Sequence, residues 1–278
     1  MSGRTLDDYR SDFDVSMDVC TDYCANKHLP AWQGLRERYA ELRSGFRTEA
    51  PIPRLLHQIW CGGPVPPRYH DFIEKMRQAN PSMEYRLWTP ETVDFPLVTG
   101  DMLRTAKNPA QQSDILRFEI LNRHGGIYAD LDFLALKSFD ELLNADFFTG
   151  IVYAANPSLM NGLVGSVPGH PLVKEMLARM RISEDPSAVG DIMRATGPFL
   201  LTEVFLAMYA QHARCVALPV AYFCPFPNHP VYKTRGEDYR AYLTERTVCV
   251  HLWHCSWMKK STSVRRGLLG RLRSLFHA

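Results

Sequence analysis

Two aspartates, Asp130 and Asp132, are the residues in this chain whose types and spacing most directly suggest chemistry. They follow an apolar stretch that begins with a glycine pair at 125–126. In an extended segment the side chains alternate, so both carboxylates are predicted to lie on one face while Leu131 packs on the other. Paired aspartates also occur on solvated strand edges, but hard carboxylate oxygens suit Mg²⁺ or Mn²⁺. The spacing therefore predicts a divalent cation held over a diphosphate.

The stretch before the glycine pair reads as a helix over residues 112–121, because its apolar residues repeat every three or four positions. Asp114 and Arg117 are three residues apart and therefore share one face of that helix. One explanation of this spacing is an ion pair that only stabilises the helix surface. A carboxylate and a guanidinium beside the metal-binding aspartates would instead bind sugar hydroxyls and phosphate oxygens. The glycine pair is predicted to end the helix and begin the strand that carries the aspartates.

Five ordered motifs within residues 51–258 resemble the DXD sugar transferases of glycosyltransferase family 32. That family is typified by fungal Golgi mannosyltransferases and by bacterial capsule and lipo-oligosaccharide transferases, and it is distantly related to the large clostridial glucosylating toxins. The motifs are, in order, 52–60, 113–117 with 125–132, Asn161 with 166–171, 196–198 and 251–257.

The resemblance implies a metal-dependent hexosyltransferase with a GT-A fold, which takes part in polysaccharide biosynthesis. It would transfer a sugar from a nucleotide-diphosphate donor to a hydroxyl of a glycan or a lipid-linked saccharide. A UDP-sugar is the preferred donor and GDP-mannose is the alternative. Transfer to a host protein, as by the toxins, is an alternative for the acceptor. The resemblance also implies retention of anomeric configuration by a front-face route. The sequence offers no obvious nucleophile for a covalent intermediate.

The resemblance also implies roles for individual residues. Trp60 would stack on the base, and Ser256 and Trp257 would contact the diphosphate; core packing is the alternative for such aromatic residues and for His251. The residues implied for catalysis are Asp114, Arg117, Asp130, Asp132 and Asn161. Those implied to bind the donor are Gln58, Ile59, Trp60, Asp114, Arg117, Tyr128, Asp130, Ser256 and Trp257. Those implied to hold Mn²⁺ (or Mg²⁺) are Asp130, Asp132 and His251.

The composition agrees with an enzyme of this kind. A chain of 278 residues with 46% hydrophobic content can bury a large core. The formal charge of +2 gives no reason to expect a nucleic-acid partner. Seven cysteines at irregular spacing predict reduced core residues, and the cluster at 249–255 matches no common zinc knuckle.

Alternating strands and helices predict an α/β fold with a mostly parallel sheet flanked by helices and binding loops at the carboxyl ends of the strands. An N-terminal helical extension is predicted over 1–50, a catalytic domain over 51–260 and a basic amphipathic helix over 261–278. Helices are predicted at 30–46, 70–80, 172–180 and 199–210, and strands or extended segments at 55–60, 83–88, 134–139, 147–154, 216–222 and 248–253.

The tail predicts contact with a membrane surface through residues 264–278, because leucines lie on one stripe with arginines opposite. Docking of that helix on the domain is the alternative. The chain shows no apolar run long enough to span a bilayer, and residues 1–10 lack the layout of a signal peptide. A cytoplasmic location, with peripheral contact at the inner face of the membrane, is therefore expected.

Two other functions use some of the same residues. A divalent-metal phosphohydrolase also needs paired aspartates, but usually requires further carboxylates or histidines for a second metal. A nucleotide-sugar-binding module without turnover is the second alternative.

Overall fold

The computed structural model describes residues 4–45, 50–185, 187–226 and 238–254. Three helices come first: α1 (Leu6–Met17), α2 (Thr21–Asn26) and α3 (Pro30–Ser44). Helix α1 starts with a capping box, in which the side chain of Thr5 accepts from the N–H of Asp8 and the Asp8 carboxylate accepts from the N–H of Thr5. These helices agree with the predicted N-terminal extension of the fold. The domain boundary at residue 50 stays a prediction.

Eight strands and seven further helices follow in the described residues. The strands are β1 (Leu55–Ile59), β2 (Glu84–Trp88), β3 (Gly126–Ala129), β4 (Phe133–Ala135), β5 (Phe147–Ile151), β6 (Leu159–Ser166), β7 (Cys215–Leu218) and β8 (Cys249–His251). The helices are α4 (His70–Ala79), α5 (Gly100–Thr105), α6 (Pro109–His124), α7 (Pro171–Arg179), α8 (Val189–Ala195), α9 (Pro198–Met208) and α10 (Val220–Phe223).

Six strands form one sheet in the order β2-β1-β3-β6-β5-β7. Strand β6 runs antiparallel to both neighbours, and the remaining adjacent pairs are parallel. Strands β3, β5 and β6 are buried along their whole length, because helices cover the sheet. The prediction of a mostly parallel sheet flanked by helices is confirmed.

A separate two-stranded ribbon is formed by β4 and β8, which pair antiparallel. Its register places Phe133 opposite His251 and Ala135 opposite Cys249. Since β4 begins one residue after Asp132, the ribbon brings the late strand beside the aspartate pair.

The N-terminal helices are fastened to the rest of the fold by buried polar contacts. The indole N–H of Trp32 donates to the carbonyl of Ala155 at 3.0 Å. Asp12 accepts from the Tyr39 hydroxyl at 2.6 Å and from Nη2 of Arg246 at 2.8 Å. Helix α1 is therefore tied to the segment that leads into β8.

Most predicted elements are present, with shifted ends. The helices predicted at 30–46, 70–80, 172–180 and 199–210 are α3, α4, α7 and α9. The strand predicted at 216–222 is wrong in its second half, because Pro219 ends β7 and Val220–Phe223 is helical. The extended segment predicted at 134–139 is a strand only as far as Ala135. Among the described residues no helix is both long enough and apolar enough to cross a membrane.

Candidate metal and donor site

The segment that carries the two aspartates is a turn and not the extended stretch that the sequence predicted. Strand β3 ends at Ala129, and the N–H of Phe133 donates back to the carbonyl of Asp130 at 3.3 Å. The N–H of Asp130 donates to the carbonyl of Gly162 on β6 at 2.8 Å. Alternation along a strand is therefore the wrong reason for the convergence of the carboxylates. The turn brings them together.

Asp130, Asp132 and His251 each offer one ligand atom, and these atoms lie within 4.8 Å of one another. Pairing of β8 with β4 sets the position of the imidazole, which stacks on Phe133 with ring centroids 4.4 Å apart. Nε2 of His251 lies 3.3 Å from Oδ1 of Asp132. Nδ1 of His251 is buried without a hydrogen-bond partner among the described residues. Nε2 is therefore the ring nitrogen that faces the Asp132 carboxylate, and in its unprotonated form it can be a metal ligand.

Asp132 is held as a carboxylate by its surroundings. Burial raises the pKa of Asp132, but the adjacent His251 and the N–H of His254 outweigh burial and leave the pKa below its ordinary value, at about 2. The His254 N–H donates to Oδ2 at 2.8 Å. The side chain is therefore charged and oriented before any cation arrives.

Asp130 is fixed from the opposite side by the preceding strand and by α6. The Tyr128 hydroxyl donates to Oδ1 of Asp130, and Nη2 of Arg117 lies 3.3 Å from the same oxygen. The Arg117 guanidinium also lies over the Tyr128 ring, 4.6 Å from its centroid. Tyr128, predicted to bind the donor, is buried behind Asp130 and acts on the site through that carboxylate.

A glycine of β6 makes room for the Asp130 carboxylate. A Cβ atom at Gly162 would lie 2.7 Å from Oδ2 of Asp130 and 3.4 Å from its Cγ. Any side chain at this position would therefore displace the carboxylate. The sequence carried no signal for this role, because the approach of β6 to the turn depends on tertiary structure.

Asp114 and Arg117 face each other on α6, with Nη2 of Arg117 3.2 Å from Oδ1 of Asp114. The side chains are only 8% and 5% exposed, so the pair is buried and does not lie on the helix surface. Asp114 also accepts from Nδ2 of Asn161 at 2.7 Å and from the Thr196 hydroxyl at 3.1 Å. Nη1 of Arg117 donates to the carbonyl of Asn161 at 2.6 Å.

Burial of this network has the largest effect on the titration of the Asp114 carboxyl. Burial raises the pKa of Asp114 to about 6, against the opposing effect of the Arg117 charge. Thr196 lies in a motif that the resemblance identified, yet no role followed for it from the sequence. Its hydroxyl completes the set of donors to Asp114.

The carboxyl end of β1 borders the same turn. Nε2 of Gln58 donates to the carbonyl of Asp130 at 3.3 Å, and Oε1 accepts from the Tyr85 hydroxyl at 2.9 Å. Ile59 is buried. Trp60 is half-buried, and its indole N–H has no hydrogen-bond partner among the described residues. Gln58 therefore supports the turn, and the Trp60 N–H is a buried donor that no described residue satisfies.

A buried histidine that the sequence reasoning missed fixes the glycine pair. Nδ1 of His57 accepts from the indole N–H of Trp88 at 3.1 Å, so Nε2 carries the proton and donates to the carbonyl of Gly125 at 3.0 Å. Burial lowers the pKa of His57 to about 4, which keeps the ring neutral. Gly125 has φ +63°, a conformation that favours glycine, and its carbonyl is pinned where the chain enters β3.

Two predicted donor-binding residues, Ser256 and Trp257, lie outside the described residues, as does the predicted helix at 261–278.

The family model described as "Glycosyltransferase sugar-binding region containing DXD motif" matches residues 66–149. The mannosyl phosphorylinositol ceramide synthase SUR1 of Saccharomyces cerevisiae is 28% identical over 180 residues, which are 60% of this chain and 46% of that protein. Inositol phosphoceramide mannosyltransferase 3 of Schizosaccharomyces pombe is 28% identical over 168 residues, covering 57% and 46%. The chain thus spans about half the length of these relatives.

Among solved structures, the PaToxG glycosyltransferase superposes with a TM-score of 0.46 at 16% sequence identity, over 73% of this chain and 79% of that one.

Proposed function

We propose that this chain, whose residues 66–149 match the model of the glycosyltransferase sugar-binding region with a DXD motif, is such a glycosyltransferase and transfers a hexose from a nucleotide-diphosphate donor to a hydroxyl group. The observation that carries this proposal is the cluster of Asp130, Asp132 and His251, with ligand atoms within 4.8 Å. Two carboxylates and one imidazole would suit Mn²⁺ or Mg²⁺. When bound, such an ion acts as a Lewis acid on the leaving diphosphate.

The residues around this cluster have separate tasks in the proposed reaction. Asp132 is already ionised and needs no proton loss to bind a cation. Arg117 holds Asp130 and adds permanent positive charge beside the departing phosphates. Asp114 and Asn161, which are already hydrogen-bonded to each other, present their remaining acceptor positions to sugar hydroxyls.

We propose retention of anomeric configuration by a front-face route. The carboxylates of the described site are engaged, Asp132 by His251 and Asp114 by Thr196. Such engagement disfavours a double displacement, which needs a carboxylate held against the anomeric carbon. The leaving phosphate would then help to deprotonate the acceptor.

The names of the relatives suggest which donor and which acceptor to test first. One is named as a mannosyl phosphorylinositol ceramide synthase and the other as an inositol phosphoceramide mannosyltransferase. These names support GDP-mannose as the first donor to test, beside the UDP-sugars that the sequence favoured, and they support a glycan or lipid-linked acceptor.

Asp132→Asn tests the proposal. We expect metal-dependent hydrolysis of GDP-mannose or UDP-sugars, and transfer from them, to fall at least about 100-fold, because one anionic ligand becomes neutral. Asp101→Asn is the matched control, since the Asp101 side chain is 95% exposed on α5. Wild-type rates from Asp132→Asn, with thermal unfolding unchanged, would contradict the proposal.

Product analysis separates the alternatives. A glycosyltransferase releases the intact nucleoside diphosphate and a glycosylated acceptor. A phosphohydrolase would release inorganic phosphate or cleave the donor between its phosphates, and a binding module would show affinity without turnover.

Peripheral membrane contact through residues 264–278 is a second proposal, which rests on the sequence pattern. Co-sedimentation with anionic vesicles should be lost when these residues are deleted. Equal co-sedimentation of the intact and shortened proteins, or none by the intact protein, would contradict it.

A further inference from the structure

A cavity of about 400 Å³ opens between α7, α8 and α9. This volume is within the range of small-ligand sites. The lining residues include three arginines and one glutamate: Arg179, Arg181, Arg194, Phe199, Leu200 and Glu203. The wall therefore carries a net positive charge, which selects for an anion.

The three arginines differ in how their charge is balanced. Arg179 is paired with Glu203, with Nη1 3.0 Å from a carboxylate oxygen. Within the described part of the chain, Arg181 and Arg194 have no carboxylate oxygen within 4.0 Å. The Asp191 carboxylate interacts electrostatically with Arg181 over a longer distance, so the positive charge on this wall is only partly balanced, and a bound anion would balance the rest.

Backbone carbonyls hold these two guanidiniums in place. Nη1 of Arg181 donates to the carbonyl of Arg194 at 3.5 Å, and Nη1 of Arg194 donates to the carbonyl of Gly190 at 3.2 Å. Each side chain keeps its other N–H groups for a ligand. A planar guanidinium with free N–H groups matches the geometry of phosphate oxygens.

The cavity adjoins the network around Asp114. The N–H of Arg181 donates to the carbonyl of Ala195, the residue before Thr196, at 3.2 Å. The carbonyl of Arg181 accepts from Nε2 of Gln111, one turn before Asp114 on α6, at 3.2 Å. The residue that lines the cavity is therefore hydrogen-bonded to both elements that hold Asp114.

We propose that this cavity binds a phosphate group carried by the acceptor, through Arg181 and Arg194. This inference rests on the proposed function, because it assigns the cavity to the acceptor of that transfer. Arg179 keeps its pairing with glutamate and frames the cavity. The phosphate belongs either to a phosphorylated soluble glycan or to a phospholipid headgroup, and both present the same oxyanion to the guanidiniums.

Titration with inorganic phosphate tests the cavity without donor or metal. The double variant Arg181→Gln/Arg194→Gln should bind inorganic phosphate at least about tenfold more weakly than the wild type. The control Arg10→Gln/Arg54→Gln removes the same charge from two ion-paired arginines outside the cavity and should stay within about twofold. Equal affinity in both double variants, or no phosphate binding by the wild type, would overturn the proposal.

Transfer kinetics test the assignment to the acceptor. Mannose 6-phosphate and vesicles containing phosphatidylinositol represent the two sources of phosphate, and methyl mannoside and phosphatidylcholine vesicles are the neutral comparisons. For the phosphorylated acceptor that is used, the KM of the Arg181→Gln/Arg194→Gln variant should rise at least about tenfold, with kcat and the donor KM unchanged. An unchanged acceptor KM, or equal use of the neutral comparison, would overturn this assignment.

Donor hydrolysis without acceptor distinguishes the two failures. The double variant should hydrolyse donor at the wild-type rate, since neither arginine contacts the metal cluster residues. Absence of hydrolysis and transfer by the wild type would count against the proposed function, while phosphate titration still reports on the cavity.

Discussion

Gly162→Ala is the sharpest structural test of the aspartate turn. The new Cβ would lie 2.7 Å from Oδ2 of Asp130, whereas ordinary contact begins at 3.4 Å. The carboxylate must therefore retreat by about 0.7 Å, away from a position that Tyr128 and Arg117 fix. A misplacement of this size at a reacting centre reduces rates about 100-fold, and the overpacking itself costs about 1–3 kcal/mol of folding free energy.

The assay is metal-dependent hydrolysis of the donor, with the metal concentration varied at saturating donor. We expect the apparent metal affinity and kcat both to fall in Gly162→Ala, while circular dichroism shows a folded protein. Gly100→Ala is the matched control, because its Cβ would meet its nearest neighbours at 3.6 Å and 3.7 Å, which is ordinary contact. A folded Gly162→Ala protein with wild-type metal affinity and rate would refute the reasoning.

Three further outcomes are expected. Since burial raises the pKa of Asp114 to about 6, kcat/KM for the donor should fall as the pH drops through 6. The contribution of this group to folding stability has the opposite pH dependence, because it is full below the ordinary pKa of 3.8 and is lost as the pH rises to about 6. The pH profile of the rate checks the first effect, which a flat profile contradicts, and the pH profile of urea unfolding checks the second. Asp12→Ala should lower the free energy of unfolding by about 1–3 kcal/mol, because Arg246 loses its largely buried partner. The control Asp7→Ala should change the free energy of unfolding by less than about 0.5 kcal/mol, because the Asp7 side chain is 87% exposed. Similar thermal unfolding of the two variants would exclude this explanation. Trp60→Phe keeps an aromatic ring but removes the indole N–H that has no partner among the described residues, so the donor KM should rise about fivefold with kcat unchanged, and an unaltered KM argues against contact with the donor.

Local patterns predicted the elements that carry the first half of the site. The apolar spacing of residues 112–121 predicted α6, and the glycine pair predicted its end, where Gly125 adopts φ +63°. The shared face of Asp114 and Arg117 followed from helical geometry alone. These features depend on residues that are close together in the sequence, so local patterns can predict them.

The second half depends on contacts that no local pattern records. His251 entered the predicted metal set only through family resemblance, because its position depends on pairing of β8 with β4. Gly162 and Thr196 reach the site across the fold, from β6 and from the residue after α8. The error over Asp130 and Asp132 has the same origin: a short apolar run predicts a strand, but hydrogen bonds to β6 decide where that strand ends.

The ribbon of β4 and β8 has a consequence for how the protein is made. The two aspartates leave the ribosome well before His251, so a nascent chain released before residue 251 contains both carboxylates and cannot assemble the cluster. Closing so long a loop is also slow, because chain entropy is lost before the strand pairing contributes any stabilising free energy. Enzymatic activity should thus appear later during refolding than helix formation. During synthesis, activity would show that the chain has been made far enough to form this ribbon.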